Sequence, residues 1–161
     1  GCCEGTPSPE GILANCEGAF DALARELGVP ADVLAGRTSV LGHSLGAAAA
    51  LQFAVHRPVR KIVLLAPFTS MRDMARRVVG YPLAWLLRHS FENEACLREL
   101  AARPDPPRVT IVHGTADNVV PVEMGRRLAA AFPKMVDYIE LPGADHVMVL
   151  DRVPELLAPP E

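Results

Sequence analysis

The sequence has no surplus of basic charge. Its 161 residues carry 16 Lys and Arg against 19 Asp and Glu, a formal net charge of −3. No basic run or stripe appears, so nucleic-acid binding has no electrostatic footprint here. The chain also lacks a run of 18 apolar residues, and no membrane-spanning helix is encoded in it. It shows no signal peptide and no initiator Met. Cysteine is scarce: Cys2, Cys3, Cys16 and Cys96 are the whole set. None stands at metal-ligand spacing from another Cys or a His, and the adjacent pair Cys2 and Cys3 has poor disulfide geometry. Free thiols in a reducing compartment are expected. No internal repeat or low-complexity segment is present.

Half of the residues are hydrophobic and 22% are charged, a globular balance. The length suits one domain with a buried core. The opening Gly1 to Pro9 is rich in turn residues and reads as a loop inside a domain. Ile12, Cys16, Phe20, Leu23 and Leu27 recur at helical spacing, with Gly28 as a stop signal and Pro30 beyond it. Strands are expected at 37–41, 59–66, 109–113 and 136–141. Helices are expected at 45–56, 122–132 and 147–157. Strands alternating with helices imply right-handed βαβ units and a mostly parallel sheet, an α/β fold. The dense run Val59 to Ala66 suits a strand covered on both faces.

One region breaks the alternation. Residues 69–107 separate two strands and read as a cap insertion, with helical pieces near 71–79, 83–87 and 94–101. Tyr81, Trp85, Leu86 and Phe91 are its candidate pocket lining, although the same side chains could simply pack the cap on the sheet. The Arg pairs Arg76/Arg77 and Arg126/Arg127 read as solvated helix faces.

Gly42-His43-Ser44-Leu45-Gly46 follows a strand and precedes a helix. A G-x-S-x-G pattern in that context is a nucleophile elbow. Its sharp turn lifts the serine hydroxyl off the sheet edge, and close approach two residues away favours glycine at both flanks. The helix that begins at Leu45 turns its N–H groups and positive dipole end toward a developing oxyanion, with the Leu45 N–H as one donor. An idle Ser44 in a glycine turn is the plain alternative.

A serine hydroxyl is a weak nucleophile without a base. Among five histidines, His146 stands out, because it lies in Pro142-Gly143-Ala144-Asp145-His146 between the last strand and the last helix. Loops at strand C-termini are where open α/β sheets place functional groups. His43 reads as a packing residue pointing away from the base, His56 as a surface residue near a helix end, His89 as an exposed cap residue, and His113 as an organiser of the loop that follows it. Asp117, in the loop after the strand ending at His113, falls in the chain order Ser, acid, His and would orient the imidazole. A turn or N-cap aspartate is its plain alternative. Asp145 adjoins His146 and cannot easily reach its Nδ1, and Asp73 belongs to the insertion.

These motifs, with Ala66-Pro67-Phe68-Thr69-Ser70, His113-Gly114-Thr115-Ala116-Asp117, Val120-Pro121 and the opening stretch to Gly11, resemble the α/β-hydrolase superfamily. The likeness is to serine hydrolases of the monoacylglycerol-lipase, acyl-thioesterase and serine aminopeptidase-like branch, and covers essentially all 161 residues. Cys3 departs from it by standing where a small hydroxyl residue is usual. The resemblance implies Ser44 as nucleophile, Asp117 as acid and His146 as base. It implies cleavage of an ester, thioester or amide of a small-molecule acyl substrate, with no metal or organic cofactor.

It also implies that the chain holds strands five to eight of eight. A second oxyanion donor would then come from a loop upstream of Gly1, and losing one such donor costs on the order of 10²–10³ in kcat. Strongly impaired turnover is expected of this chain alone, with strand 37–41 as an exposed edge. The missing N-terminal half or a second copy is the partner that edge would take, and a non-catalytic binding fragment is the rival reading. Localisation is left open between the cytoplasm and a membrane association made upstream.

Overall fold

A computed structural model describes residues 8–79 and 90–157. The opening heptad, His89, Tyr81, Trp85, Leu86 and the helical piece expected at 83–87 lie outside the described residues.

The first helix, α1, spans Pro9–Glu26 and starts three residues earlier than the hydrophobic spacing predicts. Ser8 caps it, its hydroxyl accepting from the Gly11 N–H at 3.0 Å, and Pro9 takes the first helical position. Proline costs nothing there, because that N–H has no partner inside the helix. Gly28 ends it at φ 64°, with its N–H donating to Arg25 and that of Val29 to Ala24, a Schellman closure. A five-residue helix, α2 (Ala31–Ala35), follows without any signal in the spacing.

Four parallel strands then alternate with helices. They are β1 (Ser39–His43), β2 (Lys61–Leu65), β3 (Arg108–Gly114) and β4 (Val136–Leu141), ordered β1-β2-β3-β4. α3 (Leu45–His56) links β1 to β2, and α6 (Val122–Ala131) links β3 to β4. Between β2 and β3 lie α4 (Met71–Val79) and α5 (Asn93–Ala101).

Alternation along each strand divides the core in two. Ile62, Leu64, Val109 and Ile111 face one side and pack with Leu51, Leu97, Leu100 and Leu128 of α3, α5 and α6. Val63, Leu65 and Val112 face the other side, where Val149, Val153 and Leu156 cover them. The covering segment is a 3-10 turn at Met148–Arg152 leading into a short helix, α7 (Val153–Leu157), rather than one helix from Val147. β2 is buried from Ile62 through Leu65, as a doubly covered strand should be. β1 stands at one edge of the described sheet.

The excursion after β2 is pinched at its base. Ser70 and Glu92 form an antiparallel bridge, and the Met71 N–H donates to the Phe91 carbonyl at 2.9 Å. Ser70 caps α4 by accepting from the Asp73 N–H, and the Asp73 carboxylate accepts from Thr69 and Arg76. α5, on the far side of that neck, belongs to the helical layer over the sheet. Phe91 does not line an open pocket: it is buried with Phe68, Ala48 and Val120 beneath the neck.

Arg126 and Arg127 are not merely solvated. Arg126 makes a two-pronged ion pair with Glu140, and Arg127 bonds Glu94. The Arg126 guanidinium holds the Glu140 carboxyl below its ordinary range.

Candidate active site

Ser44 is the single residue between β1 and α3. With no loop to spread the reversal, its backbone takes it alone, at φ 54° and ψ −116°. That region is sparsely populated for an L-residue and costs on the order of 1–3 kcal/mol. The flanks hold it there: the Ser44 N–H donates to the Leu65 carbonyl at 2.9 Å, and the Ser44 carbonyl accepts from the Ala47 N–H at 3.0 Å. A Cβ on Gly42 would overlap the Gly46 carbonyl, so glycine is required at that position. Gly46 is different. A Cβ there would meet nothing within 4 Å, and the expected crowding on that flank is absent. Leu45, at the first helical position, has an N–H with no acceptor inside the helix. Ala66, at the end of β2, is also left-handed at φ 48°, buried, and tied by its N–H to the Val112 carbonyl.

Asp117 and His146 meet. The His146 Nδ1 lies 2.7 Å from Asp117 Oδ2, and the Asp117 side chain is wholly buried. A carboxylate accepts, so Nδ1 carries the proton and the Nε2 lone pair is left as the basic site. The other carboxylate oxygen, Oδ1, accepts from the Val119 and Val120 N–H groups at 2.9 and 2.8 Å. Asp117 is thus both the turn aspartate of its loop and the partner of His146.

The loops carrying the two residues are stitched together. The Gly143 N–H donates to Thr115 Oγ1, and the Ala116 N–H donates to the Ala144 carbonyl. Gly114 lets the backbones come this close, since a Cβ there would overlap that same carbonyl. Asp145 accepts from the Met148 and Val147 N–H groups, which hold its carboxyl below the ordinary range.

His113 lies beneath the acid, fully buried. Its Nε2 donates to the Val120 carbonyl at 2.9 Å and lies 3.5 Å from Asp117 Oδ2. It organises the loop, as its place before Gly114 predicts. Its Nδ1 has no partner, and burial pushes its pKa below the ordinary value. A Cβ on Gly125 would lie 2.5 Å from that nitrogen, which explains a glycine inside α6.

His43 departs from its predicted role. Its ring does not point away from the base: its centroid is 4.6 Å from that of His146, and its Nε2 is 2.8 Å from the His146 carbonyl oxygen. Strand alternation alone gave no sign of this, because the partner lies 103 residues on. His56 is exposed near Glu17, as its helix-end position predicts.

Two clefts among the described residues lie away from this site. One of about 490 Å³ lies at the opposite end of the strands, between Ala101, Pro107, Phe132 and Met135. Another, of about 390 Å³, lies beside β1 among Phe20, Val40, Leu41, Ala49 and Phe53. Among the described residues no group of three His, Cys, Asp or Glu could hold a metal ion, and no helix is long and apolar enough to cross a membrane. Cys96 is half-buried, and burial with nearby Glu99 raises its thiol to about 11, which makes it a packing residue.

No protein-family model matches the chain. It is 33% identical over 153 residues to the uncharacterized protein Rv2307c of Mycobacterium tuberculosis, covering 95% of this chain and 50% of that one. It is 27% identical over 150 residues to the alpha/beta hydrolase domain-containing protein aho-3 of Caenorhabditis elegans, covering 91% of this chain and 40% of the other. The chain therefore spans about half the length, or less, of these curated relatives. Among solved structures, the esterase domain of a Rhodothermus marinus protein superposes with a TM-score of 0.64 at 20% identity, over 90% of this chain and 65% of that one.

Proposed function

The chain has the α/β-hydrolase fold, and from that premise we propose that it carries the reacting residues of a serine hydrolase. In this reading it cleaves a carboxylic ester, thioester or amide through an acyl-enzyme on Ser44. The observation that carries the reading is the 2.7 Å contact of His146 Nδ1 with the buried Asp117, and the left-handed turn of Ser44, at φ 54°, supports it.

The chemistry follows from those protonation states. Ser44 Oγ attacks the substrate carbonyl carbon while its proton passes to His146 Nε2. Asp117 stabilises the imidazolium, and the Leu45 N–H donates to the oxyanion. The bond to the leaving group breaks, and His146 returns the proton to it. Water then attacks the acyl carbon and gives a proton to His146, the bond to Ser44 Oγ breaks as His146 passes that proton to it, and the acid leaves with Ser44 and the neutral imidazole restored. The excursion pinched at Ser70 and Glu92 caps the acyl site in this reading. No metal or organic cofactor takes part.

Hydrolysis of p-nitrophenyl esters and matched acyl thioesters tests this. Ser44→Ala and His146→Ala should each remove the activity above background, by about 10²-fold or more. Activity surviving in Ser44→Ala would place the reaction elsewhere.

A second reading has one observation in its favour. β1 is an edge strand bordering the apolar cleft of about 390 Å³, a surface suited to pairing with another strand. In that reading the chain is a binding or self-associating module. A dimer that dissociates on Val40→Lys would support it.

A further inference from the structure

The proton transfer just described uses Ser44, Asp117 and His146, and leaves His43 idle. His43 is the last residue of β1, in register with Leu65 of β2, so its backbone is fixed by the sheet. Its Nε2 lies 2.8 Å from the backbone carbonyl oxygen of His146. A carbonyl only accepts, so this nitrogen carries the proton and donates it. The two rings lie 4.6 Å apart at a 45° tilt.

His146 is therefore held at two points. Asp117 fixes its ring, and His43 fixes its main chain. The two holds come from different strands: Asp117 follows β3, and His43 ends β1 immediately before Ser44. Only the second ties the base to the strand that carries the nucleophile. A ring fixed at Nδ1 alone could still shift with its loop, and a shift of about 1 Å at a reacting group can cost on the order of 10²-fold in rate.

We propose that His43 is a positioning residue, an N–H latch that sets the reach of His146 toward Ser44. The proposal rests on the triad reading above. It differs from a packing role in one respect, which is that it requires a donor at the Nε2 position and not merely a ring.

The test uses the full chain with His43→Phe, which keeps the ring volume and loses the donor, and His43→Gln, which restores an N–H at similar reach. Thermal melts select preparations of matched folded content. The rate of fluorophosphonate acylation at Ser44, and kcat and KM for a p-nitrophenyl ester, are then compared. The latch predicts that His43→Phe loses about 10- to 100-fold in acylation rate and kcat with KM little changed, and that His43→Gln recovers most of it. Equal rates in wild type and His43→Phe, or equal losses in both variants, would overturn it.

A second readout needs no activity. The imidazole ¹⁵N–¹H spectrum of Ser44→Ala should show His43 protonated at Nε2, and the His146 Nδ1–H signal should broaden or vanish when His43→Phe is added. A His43 protonated at Nδ1 alone would overturn the latch. Failure of the triad reading is seen separately, as wild-type labelling that is absent or that survives His146→Ala, and the spectrum then decides the latch alone.

Discussion

Asp117 accepts from two backbone N–H groups through one oxygen and from His146 through the other. An asparagine could keep the first pair of bonds but would offer an amide N–H or a weaker acceptor to the imidazole. Asp117→Asn is thus expected to fold, with a melting temperature near wild type, and to lose about 10²–10⁴-fold in hydrolysis. Loss of folding with the activity would instead assign Asp117 to the loop alone. His113 makes a different prediction. Its folded pKa is depressed by burial while the unfolded chain keeps the ordinary value of about 6.5, so below that pH the unfolded state binds more protons. Its contribution to stability is present above about pH 6.5 and is lost as pH falls toward the depressed value. Urea midpoints taken from pH 8 to 5 should fall, and less steeply in His113→Gln. At this scale the meeting of Asp117 with His146 and the tight turn at Ser44 were legible through motif and chain order. The sequence concealed the direction of the His43 side chain, because that is decided by a carbonyl on another loop.

The elbow shows how an element tests a motif. Both glycines of the pattern look alike in sequence, yet only Gly42 has backbone where a Cβ would go. Gly42→Ala should destabilise the chain by about 2 kcal/mol or more through displaced backbone, whereas Gly46→Ala should be neutral or stabilise by up to about 1 kcal/mol through helix propensity. Chemical denaturation of the two variants checks the contrast, and equal effects would contradict this account of the turn. α1 was legible because its apolar residues recur on one face, and β2 and β3 were legible as dense apolar runs because both of their faces are covered. Hydrophobic spacing misses the start of α1 for a definable reason: Ser8 and Pro9 carry no apolar period, while a cap followed by proline at the first helical position marks a beginning. α2 is too short, at five residues, to show a period at all.

Among the described residues, buried clusters on the two faces of the sheet and a third beneath the neck hold the fold together, and the one of Leu51 and Ile62 is closed by α3, α5 and α6. Leu128 is fully buried in it, and Leu128→Ala should cost about 2–5 kcal/mol, read from urea unfolding. The same sheet gathers the candidate chemistry at one edge. Ser44 follows β1, Asp117 follows β3 and His146 follows β4, all at strand C-termini, where parallel α/β sheets place functional groups. That shared placement is legible in the alternation of strands and loops, since each residue stands just after an expected strand. The neck at Ser70 and Glu92 is not, since it depends on one bridge between residues 22 positions apart.

The most direct measurement is fluorophosphonate labelling of the purified chain, with the modified residue located by mass spectrometry in wild type, Ser44→Ala and His146→Ala. The account predicts modification at Ser44 that disappears in both variants. An unlabelled but folded wild-type chain, or labelling that persists in His146→Ala, would contradict it.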